Sequence, residues 1–124
     1  MSSKRTIVLV VDDHDAVRRA AEHAVLSLGF EVLGAENGER AVELFAARHC
    51  EIGAVLLDLT MPGLSGREVL QHLRQIDPAV RVVLSSGYAE ADALSMLAGE
   101  DPGCFLQKPY TVHQLADQIG KALR

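Results

Sequence analysis

Asp12, Asp13, Asp58, Ser85, Ser86 and Lys108 each stand at the end of a short apolar run, and residues of these types held together could transfer a phosphoryl group. Asp12 and Asp13 follow Thr6-Ile7-Val8-Leu9-Val10-Val11, and Asp58 ends the run from Ala54. Ser85 and Ser86 follow Arg81 to Leu84, and Lys108 follows Cys104 to Gln107. Taken alone, each aspartate reads as a turn or helix-cap residue, as short acidic side chains often are. Brought to one edge of a sheet, the carboxylates of Asp12, Asp13 and Asp58 repel one another strongly, and a divalent cation relieves that repulsion. Hard oxygen ligands select Mg²⁺, which takes one or two carboxylates and keeps waters and phosphate oxygens in the rest of its octahedron. A carboxylate left over is a nucleophile, and an aspartate attacking phosphorus forms an acyl phosphate. Such a transfer depends on in-line positioning and charge neutralisation. Lys108 would supply positive charge, and the Ser86 hydroxyl a hydrogen bond to a phosphoryl oxygen.

For these groups to meet, the apolar runs must be neighbouring parallel strands. The run from Thr6 to Val11 is β-branched and continuous, the pattern of a strand covered on both faces. From Asp15 to Leu28, apolar Val17, Ala20, Ala21, Ala24, Val25 and Leu28 recur at helical spacing, and Gly29 follows as a stop. The alternation continues with a strand Phe30 to Ala35, a helix Gly38 to His49 and a strand Ala54 to Asp58. A helix Ser65 to Ile76, a strand Arg81 to Ser85, a helix Glu90 to Ala98, a strand Cys104 to Gln107 and a helix Val112 to Leu123 complete it. Strands alternating with helices over short connections predict right-handed crossovers and a doubly wound α/β fold, a parallel sheet with helices on both faces. In such a sheet ligands bind outside the carboxyl ends of the strands, where strand order reverses.

A chain of 124 residues with no linker, repeat or low-complexity tract predicts one domain spanning 1–124. No stretch approaches the roughly 20 apolar residues of a membrane span, and Met1 to Arg5 is a polar lead before too short an apolar run for a secretory signal, so the expectation is a cytoplasmic domain. A net charge of −5 argues against direct binding of nucleic acid, which requires a basic face. Cys50 and Cys104 lack the spacing of a zinc or redox motif, and His14, His23, His49, His72 and His113 are scattered. His14 directly follows the acidic pair, yet the start of a helix is more often solvated than catalytic. The chain contains no nucleotide-binding glycine loop, hydrolase elbow, HExxH or EF-hand motif.

In the order Asp12-Asp13, Asp58, Ser86 and Lys108-Pro109, the chain resembles the receiver domain of bacterial response regulators, including the receivers of hybrid histidine kinases. The resemblance runs almost end to end. It rests on Val10-Val11-Asp12-Asp13, the segment Leu56 to Gly66, Val83-Leu84-Ser85-Ser86-Gly87, and Phe105-Leu106-Gln107-Lys108-Pro109-Tyr110. It implies a flavodoxin-like sheet of five parallel strands in the order 2-1-3-4-5. Further, it implies that Asp12, Asp13 and Asp58 hold Mg²⁺ together with the backbone carbonyl of Thr60. Asp58 would accept the phosphoryl group from a phosphohistidine of a sensor kinase or histidine phosphotransfer protein. Lys108 would pair with Asp58 before transfer and with the phosphoryl oxygens afterwards, next to a cis peptide bond at Pro109.

The resemblance also implies a switch. Ser86 would move toward the phosphate and Phe105, where many relatives carry Tyr, would turn inward behind it. The output face for a downstream effector, or for a phosphorylation-dependent homodimer, would be helix four, strand five and helix five. Thr60 and Tyr88 would set the lifetime of the acyl phosphate. The domain would catalyse its own phosphorylation and dephosphorylation without turning over a separate metabolite. Two other readings share parts of this pattern. A Mg²⁺-dependent aspartyl-phosphate phosphatase of haloacid-dehalogenase type expects an acid where Thr60 stands. A flavin domain of flavodoxin type would place a phosphate against Asp12-Asp13, which repel it.

Overall fold

The computed structural model describes residues 7–123; Thr6, expected to begin the first strand, and the polar lead before it lie outside this range. Strands and helices alternate as β1 (Ile7–Val11), α1 (Asp15–Ser27), β2 (Glu31–Ala35), α2 (Gly38–Arg48), β3 (Ile52–Asp58), α3 (Gly66–Ile76), β4 (Val82–Ser86), α4 (Glu90–Met96), β5 (Gly103–Gln107) and α5 (Val112–Leu123). Every pairing is parallel and the sheet order is β2-β1-β3-β4-β5. Among the described residues, no helix is long and apolar enough to cross a membrane.

The three central strands, β1, β3 and β4, are buried along their whole length, which is why their sequences are apolar up to the polar residues at the carboxyl ends of β3 and β4. Successive side chains still point to opposite faces. Leu9, Val11, Leu57 and Leu84 pack with Phe45 of α2, Leu70 and Leu73 of α3 and Ala93 of α4. Val8, Val10, Leu56 and Val83 pack on the other face with Val25 of α1 and Leu115 and Ile119 of α5. Each fully buried side chain of this size contributes roughly 1.5–3 kcal/mol, so these two layers clamp the sheet whose upper edge carries the polar residues.

Helix α3 is set by a reciprocal cap. Ser65 Oγ accepts from the Glu68 N–H at 3.2 Å and the Glu68 carboxylate accepts from the Ser65 N–H at 3.0 Å. Gly66 then approaches β3 closely: its N–H donates to the Leu59 carbonyl at 3.2 Å, and a Cβ there would lie 2.9 Å from the Leu59 Cα. This contact closes the loop that carries Thr60.

Two boundaries shift by two residues from those expected. β3 begins at Ile52 instead of Ala54 because Ile52 pairs with Ile7 across an irregularity in the ladder. α4 stops at Met96 instead of Ala98 because the chain leaves through left-handed backbone at Ala98 (φ 49°) and Gly99 (φ 95°). Elsewhere the ends within the described residues move by at most one residue; β4 reaches Ser86 because Ser86 pairs with Gln107.

Candidate functional site

Among the described residues, the buried polar or charged ones are Asp12, Asp58, Ser85 and Ser86, all at or just past carboxyl ends of strands. Burying such groups is costly unless they are paired, so their concentration at one edge makes this edge the candidate site. Backbone bonds carry the ladder past the strand ends and hold these residues in register. The Asp12 N–H donates to the Ala35 carbonyl at 3.1 Å, Leu59 to Ser85 at 2.9 Å and Lys108 to Ser86 at 2.7 Å. Asp58 lies opposite Ser85, and Lys108 follows a strand that pairs with β4. The Lys108–Pro109 peptide bond is cis.

Lys108 joins the carboxylates. Its Nζ donates to Asp12 Oδ2 at 2.8 Å and lies 3.4 Å from Asp58 Oδ1. The sequence-based expectation paired this lysine with Asp58; the structure seats it more closely on Asp12 and bridges to Asp58. Asp12 Oδ1 already accepts from the His14 N–H at 2.9 Å, leaving Oδ2 for the ammonium, and Asp58 Oδ1 also receives the Thr60 N–H at 3.4 Å. Burial pushes the Asp58 carboxyl above its ordinary range; the Lys108 charge opposes this and the Asp12 charge adds to it. Burial alone works against the Lys108 ammonium, but the hydrogen bond to Asp12 and the charge of Asp58 outweigh it and raise its pKa. The site is thus a partly dehydrated anionic pocket balanced by one lysine.

Asp13 Oδ1 is buried and, among the described residues, has no hydrogen-bond partner; its nearest basic group is His14 Nδ1, at an ion-pair distance of 3.5 Å. A buried carboxylate oxygen left unpaired beside a second carboxylate suits a hard cation, so Asp12 and Asp13 fit Mg²⁺. Oxygens of Asp12 and Asp13 and a ring nitrogen of His14 lie within 4.8 Å of one another. Of the ligands expected from the sequence, Asp12 and Asp13 stand together at this edge and Asp58 is linked to Asp12 through Lys108; the His14 side chain, expected to be solvated, is 74% exposed, with its Nδ1 3.5 Å from Asp13 Oδ1.

Ser86 is buried, and its Oγ accepts from the Tyr88 N–H at 3.0 Å; Ser85 Oγ lies 3.5 Å from the Leu57 carbonyl and turns away. Phe105 is half-buried against the layer that contains Leu84. The Tyr88 side chain is half-exposed and Thr60 is exposed. Tyr110 stands in the motif read around Lys108 but was given no role in the sequence. Burial raises its phenol pKa, and it feels the charges of Lys108, Asp12 and Asp58, so it borders the site; its position two residues after Lys108 was the available signal. Arg18 was also missed: its Nη1 donates to the Asp12 carbonyl at 3.1 Å.

The family profile of the response regulator receiver domain matches residues 8–120. Among curated proteins, the chain is 34% identical over 116 residues to the sensor kinase CckA of Brucella abortus (strain 2308), covering 94% of this chain and 12% of that protein. It is 27% identical over 116 residues to sporulation initiation phosphotransferase F of Bacillus subtilis (strain 168), covering 94% and 92%. Against the cyclic di-GMP phosphodiesterase of Thermotoga maritima the identity is 32%, and the chain spans 31% of that protein's length. Among solved structures, a receiver domain protein from Clostridium thermocellum superimposes with a TM-score of 0.88 at 27% identity, covering 95% of this chain and 94% of that one. The receiver domain of the hybrid histidine kinase CckA gives 0.80 at 30% identity, covering 95% and 99%. TrrA of Thermotoga maritima, solved in complex with Mg²⁺ and BeF, gives 0.82 at 28% identity, covering 95% and 99%. Neither other reading of the sequence is supported, and Thr60 presents no acid two residues after Asp58. The strand order, the acidic pair behind β1, the aspartate ending β3 and the lysine behind β5 agree with this match: the chain belongs to the response regulator receiver domain family.

Proposed function

We propose that residues 1–124 form a single receiver domain in which Asp58 accepts a phosphoryl group from a phosphohistidine of a sensor kinase or phosphotransfer protein. The observation that carries this reading is the buried Asp58 carboxylate at the end of β3, bridged to Asp12 by Lys108. Asp12 and Asp13 would hold Mg²⁺, with Asp58 and the Thr60 carbonyl drawn to it. When bound, the cation would neutralise charge on the phosphoryl oxygens. Asp58 Oδ attacks phosphorus, an O–P bond forms as the N–P bond of the donor breaks, and the electron pair returns to the imidazole. Lys108 shifts from the carboxylates to a phosphoryl oxygen. The Ser86 hydroxyl only accepts from the Tyr88 N–H, which leaves its proton free for another phosphoryl oxygen.

An apolar hollow of about 540 Å³, lined by Val17 and Ala20 of α1 and by Pro109 and Tyr110, opens beside Lys108. It suits the helix that carries the donor histidine. Movement of Ser86 toward the phosphate would empty space for Phe105, and the new dianion would bias a two-state element of the sheet edge. The output face is α4, β5 and α5, serving a downstream effector or a phosphorylation-dependent homodimer. The domain would work as a cytoplasmic signalling module that also removes its own phosphate, with Tyr88 and Thr60 setting the rate. The test is incubation with a small phosphodonor, acetyl phosphate, and Mg²⁺. An acid-stable, base-labile phosphate that disappears in Asp58→Asn is expected; labelling that persists in that variant refutes the assignment.

A further inference from the structure

Arg18 sits on α1 with its side chain 14% exposed and is held at three points. Its Nη2 donates to Asp15 Oδ1 at 2.7 Å, its Nε lies 3.8 Å from Glu22 Oε2, and its Nη1 donates to the Asp12 carbonyl at 3.1 Å. Asp15 and Glu22 lie three residues before and four after Arg18, so they flank it on one face of the helix. On the strand side, Gly34 of β2 makes room: a Cβ there would overlap the Glu22 carboxylate and touch Arg18 Cδ at 3.6 Å. The guanidinium is therefore fixed in orientation before it reaches the main chain.

The carbonyl it holds belongs to the peptide that joins Asp12 to Asp13. Orientation of this peptide sets the direction in which the Asp13 side chain leaves, with its unpaired buried oxygen, and the position from which Asp12 meets Lys108. We propose that Arg18 is a positioning residue for the divalent-cation site, its guanidinium fixing the Asp12–Asp13 peptide so that both carboxylates face one cation. The proposal rests on the reading of Asp12 and Asp13 as Mg²⁺ ligands. Arginine is required in this role because its planar fork serves a carboxylate and a carbonyl at once, whereas a lysine offers a single point of charge.

The test is a Mg²⁺ titration of the metal-free protein, followed by backbone amide shifts, on the parent, Arg18→Ala and Arg18→Lys. Loss of a partner that orients metal ligands commonly weakens affinity by 10–100-fold, so about tenfold is expected for Arg18→Ala, with Arg18→Lys also weakened severalfold. In parallel, the Mg²⁺ concentration for half-maximal labelling by acetyl phosphate should rise, while the rate at saturating Mg²⁺ stays within about twofold of the parent. A merely structural role would lower thermal stability and the saturated rate without moving the Mg²⁺ affinity. Unchanged affinity in Arg18→Ala overturns the proposal; should that variant not fold, unchanged affinity in Arg18→Lys, which keeps the charge and the stem, does the same. A parent chain that shows no Mg²⁺ response overturns the reading of the cation site along with it. A parent that responds beside an unaffected variant overturns the role of Arg18 alone.

Discussion

Replacing Lys108 with methionine keeps most of the side-chain volume and removes the cation that bridges Asp12 and Asp58. At 2.8 Å and 3.4 Å, with an effective dielectric constant of about 20, the two attractions amount to roughly 6 and roughly 5 kcal/mol before desolvation. Taking the ammonium out of water cancels several kcal/mol of this. Removing one member of a fully buried pair costs about 3–5 kcal/mol, and Lys108 is 23% exposed, so water partly replaces it. The expected loss is about 2–4 kcal/mol of unfolding free energy in EDTA, a shift in the urea midpoint of roughly 1–2 M. Far-UV circular dichroism reports the transition, since the chain has no tryptophan. Adding Asp58→Asn to Lys108→Met should recover more than half of the loss, because it removes the repulsion that the lysine had masked. Millimolar Mg²⁺ should stabilise Lys108→Met more than the parent, since the ion meets no competing ammonium. A loss under about 1 kcal/mol, or no recovery in the double variant, would refute the view that Lys108 holds two mutually repelling carboxylates.

Asp58→Asn alone should stabilise the metal-free protein at neutral pH. The folded-state pKa of Asp58 lies above its unfolded value, so the parent's relative stability is fully present below the unfolded pKa and is lost as pH rises through the folded one. The advantage of the neutral side chain should therefore shrink in denaturation curves taken at falling pH, and a gain that grows toward acid would contradict the sign. Mg²⁺ at 100 times its dissociation constant should raise the parent's stability by about 2.7 kcal/mol, a shift that Asp13→Asn should abolish in a thermal melt. Tyr88→Ala is expected to shorten the half-life of the acyl phosphate by roughly two- to fivefold, less than 1 kcal/mol in barrier, because the ring is half-exposed and shields only in part. An unchanged autodephosphorylation rate would count against any shielding by Tyr88. Ser65→Ala should cost about 1 kcal/mol in urea unfolding through loss of the α3 cap.

The fold was readable because buried parallel strands announce themselves as unbroken apolar runs, and the polar residues behind them mark the edge where ligands bind. Asp12, Asp58, Ser86 and Lys108 were placed at that edge in this way, and the structure puts them there. What escaped depends on side-chain geometry that spacing does not carry. Lys108 sits closer to Asp12 than to Asp58, a difference of 2.8 Å against 3.4 Å that strand order and spacing do not carry. Arg18 shows helical pairing with Asp15 and Glu22 in the sequence, but its bond to a main-chain carbonyl is visible only in three dimensions.

The contact between Lys108 and Asp12 joins residues 96 positions apart. During synthesis the acidic pair behind β1 is made early, and its counter-charge arrives only when nearly the whole domain has been translated. Until β5 joins the edge of the sheet, the Lys108 counter-charge to Asp12 and Asp58 is missing. Such long-range closure tends to be a late event in folding. A nascent or truncated chain ending before β5 would therefore lack the Lys108 bridge between Asp12 and Asp58, so formation of that bridge would report that β5 has joined the sheet.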